Sequence, residues 1–106
     1  MAEIPDIVLK KIRKFLRILK ENNINVEKTY LFGSYVNNTY NEWSDIDLAL
    51  VSDDFSGNKY QDKIDLINYI YMAGKDISPI PYRNEDFEDS IFARDEILKN
   101  GILIKQ

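Results

Sequence analysis

Two aspartates spaced one residue apart, Asp45 and Asp47, open an apolar run, SDIDLALV, and a Gly33–Ser34 pair stands ten residues ahead of them in GSYVNNTYNEWSDID. Aspartate forms strands poorly and is expensive to bury, so acids at the head of such a run call for a compensating partner. Along an extended chain alternate side chains share a face, which puts Asp45 and Asp47 on one side with Cβ atoms roughly 7 Å apart. Ile46, Leu48 and Leu50 then turn to the other side, toward a core. Two carboxylates on one face repel unless a cation sits between them. A hard divalent ion such as Mg2+ takes oxygen ligands while keeping places for water and phosphate. Asp76, at the head of the strand-like stretch KDISPI, offers a third carboxylate, and the three together suit two ions about 3.5–4 Å apart. Glycine lets backbone N–H groups approach a phosphate closely, and Ser34 adds a hydroxyl donor. A helical turn after them would aim further N–H groups at the same anion. Together these describe a nucleoside triphosphate site. The plainer readings are a strand ending at Gly33, a helix cap at Ser34 and a solvated strand face at the aspartates.

Those side chains need elements to hold them. Ile4, Val8, Ile12, Phe15, Leu16 and Leu19 recur at three- and four-residue steps, with Lys10, Arg13, Lys14, Arg17 and Lys20 opposite, so residues 6–22 are expected to be helical. KTYLFG reads as a strand ending at glycine, 34–42 as a polar loop or one helical turn, and 45–52 as a second strand. After the turn residues DDFSGN, a helix is expected over 59–73, with Ile64, Ile67 and Tyr71 inward and Leu66 and Ile70 as further candidates. Residues 75–82 form a third strand, and Pro79 and Pro81, which lack a backbone donor, point to a sheet edge there. A helical stretch broken in two reaches Lys99, and Asn100–Gly101 turns the chain into a last strand, ILI. The order is that of one small α/β domain over residues 1–106 with a three- to four-stranded sheet.

Composition narrows the chemistry. The 106 residues contain no cysteine and no histidine. Disulfides, thiolate metal sites, imidazole-bound zinc and Ser-His or Cys-His nucleophile pairs are therefore excluded, leaving carboxylates, hydroxyls, amines and hard metal ions. Residues 7–20 hold six basic side chains and no acid, whereas 21–106 carry 16 acidic and 8 basic ones. An acidic body argues against direct nucleic-acid binding, and the basic helix face reads as a solvated face or as a dock for an acidic partner. With no signal-like start and no apolar run of about 20 residues, a cytoplasmic protein without a membrane partner is expected. Asp65 and Asp53 are the alternative third acids, one in a helix and one in a turn. Trp43 is expected to pack in its loop, and Tyr35 is a weaker candidate for lining a nucleotide pocket.

The spacing Gly33-Ser34, ten residues, Asp45-Ile46-Asp47 resembles the signature of the polymerase β-like nucleotidyltransferase superfamily. The short length, Asp76 and the closing EILKNGILI are similar to its minimal branch, the MNT proteins that pair with HEPN-domain partners in toxin–antitoxin systems. The resemblance covers nearly the whole chain and implies that superfamily's fold, a small mixed sheet flanked by helices. It implies that Asp45 and Asp47 bind a pair of Mg2+ ions, that Asp76 helps hold the catalytic ion and activates the attacking hydroxyl, and that Gly33 and Ser34 hold the triphosphate. The implied activity moves a nucleoside monophosphate, AMP from ATP foremost, onto a hydroxyl such as a tyrosine of a HEPN-domain toxin, with a hetero- or homo-oligomer in prospect. Two alternatives stand beside it. One is a non-catalytic antitoxin that blocks a HEPN partner sterically, and the other is the catalytic subunit of a two-component small-molecule nucleotidyltransferase. The family often continues its loop as GSxARG, whereas here Asn37 replaces the basic residue and Asn38 the glycine. Asparagine tolerates a left-handed backbone, so Asn38 is expected to keep the turn.

Overall fold

The computed structural model describes residues 3–105. Helix α1 (Asp6–Glu21) is followed by β1 (Lys28–Phe32), the single-turn helix α2 (Ser34–Asn37), β2 (Ile46–Val51), α3 (Lys59–Ala73) and β3 (Ile77–Tyr82). The chain closes with α4 (Asn84–Asp89), a π-helical segment α5 (Ala93–Leu98) and the short strand β4 (Ile102–Leu103). The sheet order is β3-β2-β1-β4, with β1 antiparallel to both β2 and β4, and β2 parallel to β3. It is a mixed four-stranded sheet flanked by helices, within the three to four strands read from the apolar runs and mixed as the resemblance implies.

Strand alternation divides the core into two layers. Ile46, Leu48 and Leu50 of β2 turn to the face covered by α1 and α3, where Ile12, Phe15, Leu19 and Leu66 are buried with them. Ala49 and Val51 turn the other way and pack with Phe32, Tyr82, Phe87 and Ile97 beneath α4 and α5. Asp47 shares the parity of Ala49 and Val51, which places it on this second face, at the open end of β2 beyond the apolar layer.

The edge reading of β3 holds, and the proline parity explains it. The N–H groups of Ile46 and Ser52 donate to the carbonyls of Asp76 and Tyr82 at 2.7 and 2.9 Å, so the even-numbered residues of β3 face β2. Pro79 and Pro81 have odd parity, and their donorless nitrogens lie on the open edge. That edge cannot offer an N–H to a further strand at those two positions, a common way of blunting it.

The inward face of α3 differs from the expected one. Leu66 is buried, with Tyr69, Ile70 and Ala73 partly so, while Ile64, Ile67 and Tyr71 are exposed at 42, 45 and 65%. The buried arc begins at Asp62, a charged residue that apolar periodicity cannot select. Its carboxylate accepts hydrogen bonds from Ser56 N–H, Ser56 Oγ–H and Gly57 N–H at 2.8–3.2 Å, tying the β2–α3 loop to the helix. A helix carrying apolar residues all round is oriented by such a polar anchor rather than by its stripe.

Candidate active site

The antiparallel register sets Phe32 opposite Asp47. The next residue, Gly33, therefore carries the chain out of β1 alongside the Asp47 carboxylate. Gly33 has φ 80° and ψ −146°, a region essentially restricted to glycine. A Cβ at this position would collide with Asp47 Oδ2. The turn that follows is closed by backbone bonds: the N–H groups of Val36 and Asn37 donate to the Gly33 carbonyl at 3.1 and 3.0 Å, and Thr39 N–H donates to Ser34 O. Asn38 adopts the left-handed conformation, φ 58°, and so supplies the bend expected of it. Ser34 stands half-buried directly after Gly33, and Asn37 is exposed. Gly33, Ser34 and Asp47 are thus brought together by one hairpin.

Asp45 lies just ahead of β2 rather than within it, exposed, and Asp47 is half-buried. Burial, and then repulsion from Asp45, push the Asp47 carboxyl above its ordinary value. An anion destabilised in this way is a place where a cation would be favoured.

Asp76 also falls one residue short of its strand, in the turn before β3. Its backbone is fixed beside β2 by the Ile46 N–H bond to its carbonyl, and continuing the parallel register sets it next to Asp45. Its side chain is otherwise engaged. Lys11 of α1 pairs with Oδ2 at 3.0 Å, while Oδ1 is buried without a hydrogen-bond partner. Among the described residues, no three acidic side chains converge into a metal-holding group. Asp45 and Asp47 are brought together with Gly33 and Ser34, and Asp76 is held apart by an amine.

The alternative third acids have structural work elsewhere. Asp53 lies past the far end of β2 and accepts a hydrogen bond from Asn84 N–H, which holds its carboxyl below the ordinary range. Asp65 is exposed on α3 and accepts one from the Gln61 side chain. Trp43 does not pack in its loop: it is 84% exposed, two residues before Asp45. Tyr35 is buried in the core and stacks on Tyr40 with ring centroids 4.6 Å apart, so it does not line an open pocket. Lys10, Arg13, Lys14, Arg17 and Lys20 are exposed, as a solvated face or a docking face would be. Lys11 is the residue that sequence reasoning missed. Its signal was available, since it lies three residues after Val8 and four before Phe15 and therefore falls on the apolar stripe rather than opposite it.

The donor set fits a hard divalent cation at Asp45 and Asp47, where oxygen ligands of like charge share one strand end. The backbone of Asp76 lies beside β2, but its carboxylate is paired with Lys11.

Comparison with known proteins bears on the family and the fold. The family model described as Nucleotidyltransferase domain matches residues 12–104, which takes in every residue of the site except Lys11. No curated protein matches the chain significantly. Among solved structures, a toxin–antitoxin crystallised with AMP-PNP is similar to 90% of this chain and 70% of its own, with TM-score 0.56 and 22% identity, a likeness of fold. A protein from Sulfolobus solfataricus assigned as a nucleotidyltransferase covers 97% of this chain and 89% of its own at TM-score 0.49 and 21% identity.

Proposed function

The chain belongs to the nucleotidyltransferase domain family, and from that premise we propose that it is an Mg2+-dependent enzyme moving AMP from ATP onto a hydroxyl of a partner protein. The observation that carries the reading is the Asp47 carboxylate seated against Gly33, with Asp45 beside it. In this reading Asp45 and Asp47 hold two Mg2+ ions with Asp76, and Gly33 and Ser34 position the triphosphate. When bound, the ions supply positive charge to the phosphate oxygens as charge builds in the transition state. The acceptor oxygen attacks the α-phosphorus in line, its new P–O bond forming as the bond to the β-phosphate bridge breaks and pyrophosphate leaves. Asp76 takes the acceptor proton.

The acceptor in this reading is a hydroxyl of the partner itself. The proposed partner is a HEPN-domain toxin, modified on a tyrosine, with this chain as the cytoplasmic antitoxin. A toxin–antitoxin among the structural neighbours supports that setting. A second reading, steric neutralisation without transfer, is favoured by one observation, the engagement of Asp76 by Lys11. Co-expression with the partner separates the two. Asp45→Asn with Asp47→Asn abolishes neutralisation if transfer is the mechanism and leaves it intact if occlusion is.

A further inference from the structure

We propose that Lys11 is a latch on the active site: its ammonium stands in for a cation at Asp76 and must release that carboxylate before a divalent ion can be shared with Asp45 and Asp47. This inference rests on the metal-dependent reading above and adds to it a residue outside the nucleotidyltransferase signature.

Four observations converge on Lys11. It reaches from α1 to a turn 65 residues away and pairs with Asp76 Oδ2 at 3.0 Å, each side chain about a third exposed at 37 and 33%. Its stem lies along Gly74, where a methyl would meet Lys11 Cδ at an ordinary contact distance of 3.5 Å and Asp76 Oδ1 at a tighter 3.0 Å. The carboxylate is only half satisfied, because Oδ1 is shut off from solvent and accepts no hydrogen bond. The backbone of Asp76 needs no movement to serve the site, because the Ile46 N–H bond already fixes it beside Asp45.

The neighbouring charges leave Lys11 as the partner of Asp76. Lys75, next in sequence, is directed at the Tyr71 ring, 5.7 Å from its centroid. Switching Asp76 from the amine to a metal ion is then a side-chain rotation between two cations, with no change in the sheet. The apparent metal affinity is lowered by the strength of the ion pair that must be given up, as for any ligand whose competent state is a minor one.

The test uses Mn2+ as the probe and needs no nucleotide or acceptor. Mn2+ binding to wild type, Lys11→Met and Lys11→Arg is followed by the loss of the free Mn2+ electron paramagnetic resonance signal. Methionine keeps an unbranched apolar stem and removes the charge, so Lys11→Met binds Mn2+ about 1.4- to fivefold more tightly, the range expected for a partly exposed ion pair. Lys11→Arg keeps the charge and stays near wild type. Circular dichroism of each variant shows that the fold is kept. Unchanged or weaker Mn2+ binding in a folded Lys11→Met would overturn the latch while leaving the metal site intact. Wild-type binding that Asp45→Asn does not weaken would overturn the metal site and the latch together.

Discussion

Replacing Gly33 by alanine tests the physical basis of the site without touching a carboxylate. Two penalties add. The backbone at φ 80°, ψ −146° is strained for any residue with a Cβ, on the order of 1–3 kcal/mol. The new methyl would also occupy the position of Asp47 Oδ2, so the carboxylate must rotate away or the hairpin must open. Together these give a loss of about 2–4 kcal/mol, against roughly 5–15 kcal/mol for a domain of this size. At about 4–8 °C per kcal/mol, the Tm falls by roughly 8–32 °C. Gly74→Ala is the matched control, because its φ of 165° is extended backbone and its Cβ meets only side-chain atoms that can yield. That variant loses under about 1 kcal/mol, the size of an ordinary surface substitution. Urea denaturation followed by circular dichroism measures both. A Gly33→Ala protein within about 1 kcal/mol of wild type, or no worse than Gly74→Ala, would refute the argument that Gly33 is dictated by Asp47.

Asp47→Asn removes a carboxylate whose charged form is disfavoured by burial and by Asp45. Because its folded pKa is raised, its ionisation lowers the stability of the metal-free protein above that pKa, and the loss is relieved as pH falls through it. In chelator at neutral pH the variant is therefore more stable than wild type, seen as a higher Tm. Wild type is expected to gain Tm on addition of Mg2+, and the same variant to lose that gain, both read by thermal melts with and without the ion. Asp62→Ala strips three hydrogen bonds from the 56–57 loop and lowers urea stability by about 2–3 kcal/mol, with Mn2+ affinity within twofold of wild type. Trp43 is the single tryptophan, so native fluorescence should already resemble that of solvated indole and be quenched readily by acrylamide. Trp43→Ala changes urea stability by no more than about 0.5 kcal/mol.

Much of this architecture is written in local pattern. The stripe Val8–Ile12–Phe15–Leu19 places α1, the alternation in IDLALV fixes both faces of β2, and Pro79 and Pro81 mark the edge strand. The site was legible where its parts are close in the hairpin, since the ten-residue spacing returns Asp47 to the strand end at Gly33. The contacts that local spacing does not encode were harder to see. Lys11 meets Asp76 through a contact spanning 65 residues, which the apolar periodicity of α1 does not encode. The orientation of α3 depends on Asp62, whose buried charge is satisfied by backbone donors five and six residues earlier. Asp45 and Asp76 each lie one residue outside their strands, where the ladder ends and the chain is free to aim a polar side chain.

The central claim is group transfer, and intact-mass spectrometry of the partner protein tests it most directly. The partner is incubated with this chain, Mg2+ and each nucleoside triphosphate in turn, with Asp45→Asn as the control. The account predicts a mass gain of one AMP with ATP and wild-type chain, none with Asp45→Asn, and none when Mg2+ is chelated. A stable complex with no mass gain under any nucleotide would contradict it and leave steric neutralisation as the activity of the fold.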